Sequence, residues 1–348
     1  MRKRRSMASM TLDHPNLSLQ ISKEHQKSRV LIEEIDGLIR VYKDGYVERS
    51  HILPSVSCTV APELCLTSRD VVIDKYTNIW VRCYIPKGQG SNKFPLLVYF
   101  HGGGFCVGSA SWICYHEFLT KLSSKLNCLI MSVNYRLAPE NRLPAQYDDG
   151  FKAILWLKEQ ALTRANEWFS SKCNFSNIFL AGDSAGANIA YNLAARLAGH
   201  EALNLKPLDF KGTILIQPFF GGESRTQSEK NTANSTKSAL TLAASDTYWR
   251  LSLPIGTNRD HPWCNPTSKY GASLKDLNLF PTLVCISEMD ILKDRNLEFC
   301  SALVSGGKKV EHFVYKGVGH AFQILNKSQL SQVRTEELIC HIKNFISR

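Results

Sequence analysis

A serine lies at the centre of Gly182-Asp183-Ser184-Ala185-Gly186, between the apolar run Asn177-Ile178-Phe179-Leu180-Ala181 and a helix-like run from Ala187 to Ala195. The pattern is that of a strand, a sharp turn and a helix, with a hydroxyl at the apex and small residues beside it. A strained turn that presents a nucleophile requires such neighbours. Upstream, the buried-strand pattern Leu96-Leu97-Val98-Tyr99-Phe100 runs directly into His101-Gly102-Gly103-Gly104-Phe105. Glycine loses more chain entropy on ordering than other residues, so three in a row at a strand end imply close backbone approach to a bound group. In acyl transfer that group is the oxyanion of a tetrahedral intermediate, held by N–H groups of this loop and of the residue after the nucleophile. Gly103, Gly104 and Ala185 are therefore the expected oxyanion donors.

A serine hydroxyl is a poor nucleophile at neutral pH, so a histidine must take its proton and an acid must fix that histidine's tautomer. Among ten histidines, His320 follows the Gly317-Val318-Gly319 turn at the end of the late strand-like run Val310–Tyr315, and it is the expected base. His101 belongs to the glycine loop and reads as support for it. The acid is expected just past the apolar run Pro281–Ile286, where Glu288, Asp290 and Asp294 compete. Asp290 is preferred because the apolar pair Ile291-Leu292 follows it, as a turn tucked against a sheet requires. Asp294 reads instead as a helix N-terminal residue favoured by the helix dipole.

Four segments together, His101-Gly102-Gly103-Gly104, Tyr135-Arg136-Leu137-Ala138-Pro139-Glu140, Gly182-Asp183-Ser184-Ala185-Gly186 and Gly319-His320-Ala321-Phe322, resemble the plant carboxylesterase family, in the hormone-sensitive-lipase group of α/β-hydrolases. The resemblance runs from about Val30 to the C-terminus, in the family's order. It implies an α/β-hydrolase fold and a cytosolic serine hydrolase without cofactor or metal. The implied reaction is hydrolysis of small to medium carboxylic esters through an acyl-enzyme, with Ser184, Asp290 and His320 as the triad. It also implies an N-terminal segment folded over the pocket as a cap. Relatives in this family include 2-hydroxyisoflavanone dehydratases, cyclases and transesterases, whose motifs do not separate them from esterases. The gibberellin receptors keep the serine but lack the catalytic histidine, and the presence of His320 here sets that reading below the enzymatic ones.

The elements that must position these groups read as a mostly parallel sheet wrapped by helices. Val71–Asp74 and Asn78–Tyr84 form an expected antiparallel opening pair, followed by strands at Leu96–Phe100, Leu129–Val133, Ile178–Ala181, Thr213–Gln217, Thr282–Ile286 and Val310–Tyr315. Helical patterns at Cys114–Leu126, Tyr147–Gln160, Ala187–Ala198 and Leu330–Ile346 fill the gaps. Such alternation is what a parallel sheet covered on both faces looks like. The expected organisation is a disordered basic start over 1–10 and one domain over 11–348, with 11–60 contributing the cap. Residues 219–255 form an expected insert beside the active site. Phe219, Phe220, Tyr248 and Trp249 are candidate pocket walls or packing for that insert, and Phe105 and Phe322 are further candidates.

Composition narrows the partners. Of the net charge of +11, four units sit in Arg2-Lys3-Arg4-Arg5, and the remaining seven are spread without a basic stripe interleaved with aromatics. A small-molecule ester or related metabolite is thus expected as partner rather than nucleic acid. The polar residues Ser6–Met10 that follow the basic start do not make a secretory signal. No apolar run approaches the roughly 18 residues of a membrane span. A cytoplasmic protein with open access to the nucleus is the expectation, with oligomeric state left undetermined. Eleven scattered cysteines with no Cys-x-x-Cys pair give neither a zinc pattern nor a disulfide framework.

Overall fold

The computed structural model describes residues 29–87, 93–199, 205–232, 239–271 and 273–348. The basic start over 1–10 and the first part of the expected cap, 11–28, lie outside the described residues. The described chain opens with β1 (Leu31–Ile35), β2 (Ile39–Tyr42) and β3 (Val47–Arg49), which pair antiparallel as a small meander. The main sheet begins with β4 (Leu66–Asp74) and β5 (Ile79–Pro86), an antiparallel pair that places Val71 opposite Val81. Then come β6 (Phe94–Phe100), α1 (Ile113–Leu126), β7 (Leu129–Asn134), α2 (Ala145–Thr163), the single turn α3 (Glu167–Ser170), β8 (Cys173–Asp183), α4 (Ala185–Leu197) and β9 (Phe210–Ile216). Two helices, α5 (Gln227–Thr232) and α6 (Leu242–Ser252), precede β10 (Thr282–Ser287), and α7 (Lys293–Ser305), β11 (Val310–Tyr315), α8 (Phe322–Leu325) and α9 (Gln329–Ile346) complete the fold.

Among the described residues the large sheet has eight strands in the order β11-β10-β9-β8-β6-β7-β5-β4, parallel from β7 to β11 and antiparallel where β5 meets β4 and β7. Both faces of its central strands are apolar, which is why β6, β7 and β10 read as continuous hydrophobic runs. In β6, Leu96, Val98 and Phe100 belong to the cluster on one face, while Leu97 and Tyr99 belong to the cluster on the other. From β6 the chain goes to β7 on one side and later to β8 on the other. The strand order therefore reverses between β6 and β8, and open α/β sheets bind ligands at the carboxyl ends of strands at such a point. Phe100 pairs with Gly182 in that register, so the glycine loop and the Ser184 turn leave the sheet side by side.

Two stretches depart from their sequence patterns. The apolar segment from Val30 to Tyr42 forms the first two strands of the meander, burying Ile35, Ile39 and Val41 but leaving Val30, Leu31 and Ile32 exposed. The end of the polar insert is helical, because the Thr241 hydroxyl accepts from Ala244 N–H at 3.1 Å and caps α6, whose inner face buries Tyr248, Trp249 and Leu251. Among the described residues no helix is long and apolar enough to cross a membrane.

Candidate active site

Ser184 takes φ 52° and ψ −120° between β8 and α4, a strained backbone for a residue with a side chain. The turn is held on both sides: Ser184 N–H donates to Ile216 O at 2.8 Å, and Phe219 N–H donates to Ser184 O at 3.0 Å. The requirement for glycine beside it is steric. A methyl group on Gly186 would lie 1.9 Å from Phe100 O, so α4 approaches β6 only without a side chain there.

His320 Nε2 lies 2.9 Å from Ser184 Oγ, and His320 Nδ1 lies 2.6 Å from Asp290 Oδ2. A carboxylate only accepts, so Nδ1 carries the proton and Nε2 is free to accept from the serine. All three side chains are buried. Burial by itself lowers the pKa of His320, but the charge of Asp290 and its hydrogen bond outweigh that and raise it above the ordinary value. The competing carboxylates go elsewhere. Glu288 accepts from Gly317 N–H at 2.9 Å on the exposed side, and Asp294, in the first turn of α7, accepts from Ser228 N–H at 2.6 Å. His101 is fully buried, stacks on Tyr135 at 4.2 Å and is pushed by burial down to about 4, which keeps it neutral within the glycine loop.

Asp183 and its partners were not legible as a unit. Its carboxylate accepts from Tyr99 OH at 2.7 Å, Tyr115 OH at 3.1 Å and Gly102 N–H at 3.1 Å, so the residue next to Ser184 ties down the glycine loop. Burial pushes its pKa up to about 6 against those three bonds. From outside, Arg49 of β3 donates to Cys106 O at 2.7 Å and pairs with Glu140, while Arg136 pairs with the buried Asp149. These contacts span from 13 to 91 residues of sequence.

Within the loop, Gly103 (φ 109°) and Gly104 (φ 57°) line a cavity of about 140 Å³ together with Ser184 and His320. The N–H of Ala185 belongs to the first turn of α4, where backbone donors have no helical partner. Side chains from distant segments complete the wall: Leu38, Ile52, Leu53, Trp112, Leu240 and Ile324. Of the aromatic candidates, Phe219 and Tyr248 line the cavity. Phe105, Phe220, Trp249 and Phe322 do not, and are corrected to packing residues. Trp249 stacks on the back of Phe219 at 4.6 Å with Phe105 against it at 5.5 Å, Phe220 packs on Phe299 at 4.7 Å, and Phe322 packs on Tyr315 at 5.6 Å. A larger groove of about 960 Å³ lies at the opposite ends of the strands, beside Pro95, Lys211 and Thr282, away from all of these groups.

Gly104 illustrates how tightly the loop is set. A methyl group there would lie 2.3 Å from Tyr248 Cγ, and the backbone is left-handed in addition. With Gly104 as the oxyanion donor expected from the sequence, Gly104→Ala is expected to lower kcat by about 10²- to 10³-fold through displacement of that N–H. Steady-state kinetics on a p-nitrophenyl ester check this. Adding Tyr248→Ala should return part of the stability but little of the rate, because the left-handed backbone remains strained.

The comparisons with known proteins bear on the fold and the family. The family described as alpha/beta hydrolase fold matches residues 97–324. The chain is 54% identical over 319 residues to a protein named probable carboxylesterase 6 of Arabidopsis thaliana, covering 91% of each chain. It is 34% identical to a 2-hydroxyisoflavanone dehydratase of Glycyrrhiza echinata over 332 residues, 92% of this chain and 97% of the other. A solved esterase of Pyrobaculum calidifontis superposes with a TM-score of 0.66 at 25% identity, covering 80% of this chain and 84% of that one. With the family match spanning the sheet from β6 to α8, and that identity over nine-tenths of its length, the chain belongs to the plant carboxylesterase family of α/β-hydrolases.

Proposed function

We propose that the protein is a serine carboxylesterase that hydrolyses small to medium, uncharged carboxylic esters through an acyl-enzyme. Ser184 Oγ attacks the ester carbonyl as its proton passes to His320 Nε2. The N–H groups of Gly103, Gly104 and Ala185 bind the oxyanion. His320 then returns the proton to the leaving alkoxide, and a water activated by the same imidazole releases the acid. Asp290 keeps the proton on Nδ1 and stabilises the imidazolium that forms. The observation that carries this reading is the buried relay from Ser184 Oγ to His320 at 2.9 Å and on to Asp290 at 2.6 Å. The apolar wall, with no Lys or Arg among the described lining residues, supports a neutral substrate.

The test is hydrolysis of p-nitrophenyl acetate, butyrate and octanoate as a function of pH. A cavity of about 140 Å³ favours the two shorter chains. His320 must be neutral to accept the serine proton, and its pKa is raised by Asp290, so kcat/KM should climb through a pKa above the ordinary 6.5 and level off at higher pH. A folded protein with negligible turnover of all three esters would overturn the esterase reading and favour the dehydratase-like chemistry of its 34% identical relative.

A further inference from the structure

The residue after β9 does something that the triad geometry leaves unexplained. Gln217 is buried and left-handed at φ 48°, and its own N–H donates to Cys285 O in β10 at 2.7 Å. A left-handed residue with a long side chain is disfavoured because Cβ crowds the backbone, so it persists where surrounding bonds hold it. Its amide supplies those bonds. Oε1 accepts from Ala321 N–H at 2.7 Å, and Nε2 donates to Ser287 Oγ at 2.7 Å and to Gln323 Oε1 at 3.3 Å. The amide's orientation is chemically determined, because a backbone N–H only donates and therefore requires the oxygen. Ala321 directly follows His320 and is itself left-handed at φ 57°. Ser287 ends β10, and Asp290 N–H turns back to Ser287 O at 3.4 Å. On either side of Gln217, Ile216 O and Phe219 N–H bracket the backbone of Ser184.

We infer that Gln217 is a positioning residue that joins the turn bearing Asp290 to the turn bearing His320 and registers both against Ser184; the inference rests on the acyl-transfer reading above. It touches no reacting atom. Its oxygen is the partner of Ala321 N–H, and the bond keeps the residue beside the imidazole in a conformation that alanine would otherwise leave. Releasing that bond lets the turn relax and carries His320 away from the Ser184–Asp290 line. A displacement near 1 Å is worth about 10²-fold in rate, so the effect falls on kcat while substrate binding is spared.

Three variants test this with p-nitrophenyl butyrate over a range of pH, with thermal unfolding recorded alongside. Gln217→Leu keeps the bulk and removes the amide. It should lower kcat about 30- to 100-fold with KM changed less than about threefold. Its acid limb should move to lower pH, as His320 loses the hold of Asp290 that raises its pKa. Gln217→Glu keeps an acceptor for Ala321 N–H and adds a carboxylate to the two already facing the imidazole environment, Asp290 and Asp183. It should retain most of kcat and move the acid limb to higher pH. Gln217→Leu combined with Ala321→Gly, where glycine adopts the left-handed backbone unaided, should recover about tenfold of the loss. A wild-type kcat and pH profile in Gln217→Leu would overturn the inference. So would a loss that Gln217→Glu shares in full and that Ala321→Gly does not relieve, because that is the behaviour of a space-filling residue. Where Gln217→Leu fails to fold, an unshifted acid limb in Gln217→Glu overturns it equally. Failure of the underlying reading is seen separately, as wild-type protein that a fluorophosphonate does not label at Ser184.

Discussion

Ser184→Ala is expected to reduce ester hydrolysis by about 10⁵- to 10⁶-fold while leaving the protein folded, since removing the nucleophile of a triad costs nearly as much as removing the whole triad. The buried serine loses one oxygen and gains no bulk, and the turn is held by backbone bonds to Ile216 and Phe219 that alanine keeps. Alanine is also no worse than serine at the positive φ. What remains is the rate supplied by the oxyanion donors and substrate binding alone. The measurement is p-nitrophenyl butyrate turnover beside fluorophosphonate labelling followed by peptide mass mapping. The label should appear on the wild-type peptide carrying Ser184 and be absent from the variant. A variant that keeps a substantial share of turnover would place the chemistry on His320 as a general base for direct attack by water on the ester, and would end the acyl-enzyme mechanism.

Asp290→Asn should cost about 10⁴-fold at neutral pH, close to 5.5 kcal/mol of transition-state stabilisation, although the side chain keeps its size. The reason is specific to the bonds around Asp290. Oδ1 accepts from Leu292 N–H at 3.1 Å while Oδ2 accepts from His320 Nδ1–H at 2.6 Å. An asparagine has one acceptor oxygen, and the Leu292 N–H requires it, so the NH₂ is turned toward the imidazole. Nδ1 must then accept, the proton moves to Nε2, and Nε2 can no longer take the proton of Ser184. The carboxylate charge that raises the His320 pKa is also lost while the lowering effect of burial stays. The residual activity should therefore keep an acid limb at lower pH than the wild type. Steady-state kinetics across pH, with unfolding temperature as a control for folding, check both parts. Wild-type kcat with an unmoved limb would show that Asp290 does not serve His320.

The sequence by itself determined what depends on residues close together in the chain. A strand buried on both faces must be apolar at successive positions, so Leu96–Phe100 and the other core strands were readable without their neighbours. A turn that forces positive φ beside a helix admits only small flanking residues, so Gly182 to Gly186 declared its geometry locally. Tertiary structure alone decided whatever depends on which distant segments meet. Glu288, Asp290 and Asp294 lie within seven residues of chain and differ in role only through what faces each of them. Phe219 and Tyr248 border the cavity whereas Phe105, Phe220, Trp249 and Phe322 pack behind it. Residue type cannot separate these sets, because an aromatic ring gains the same burial from a pocket wall as from a core. Leu38, Ile52 and Leu240 reach the same cavity from meander, loop and insert, and Gln217 meets Ala321 across 104 residues. Such contacts are set by the register of strands at the sheet's carboxyl edge, and a one-dimensional pattern carries no record of that register.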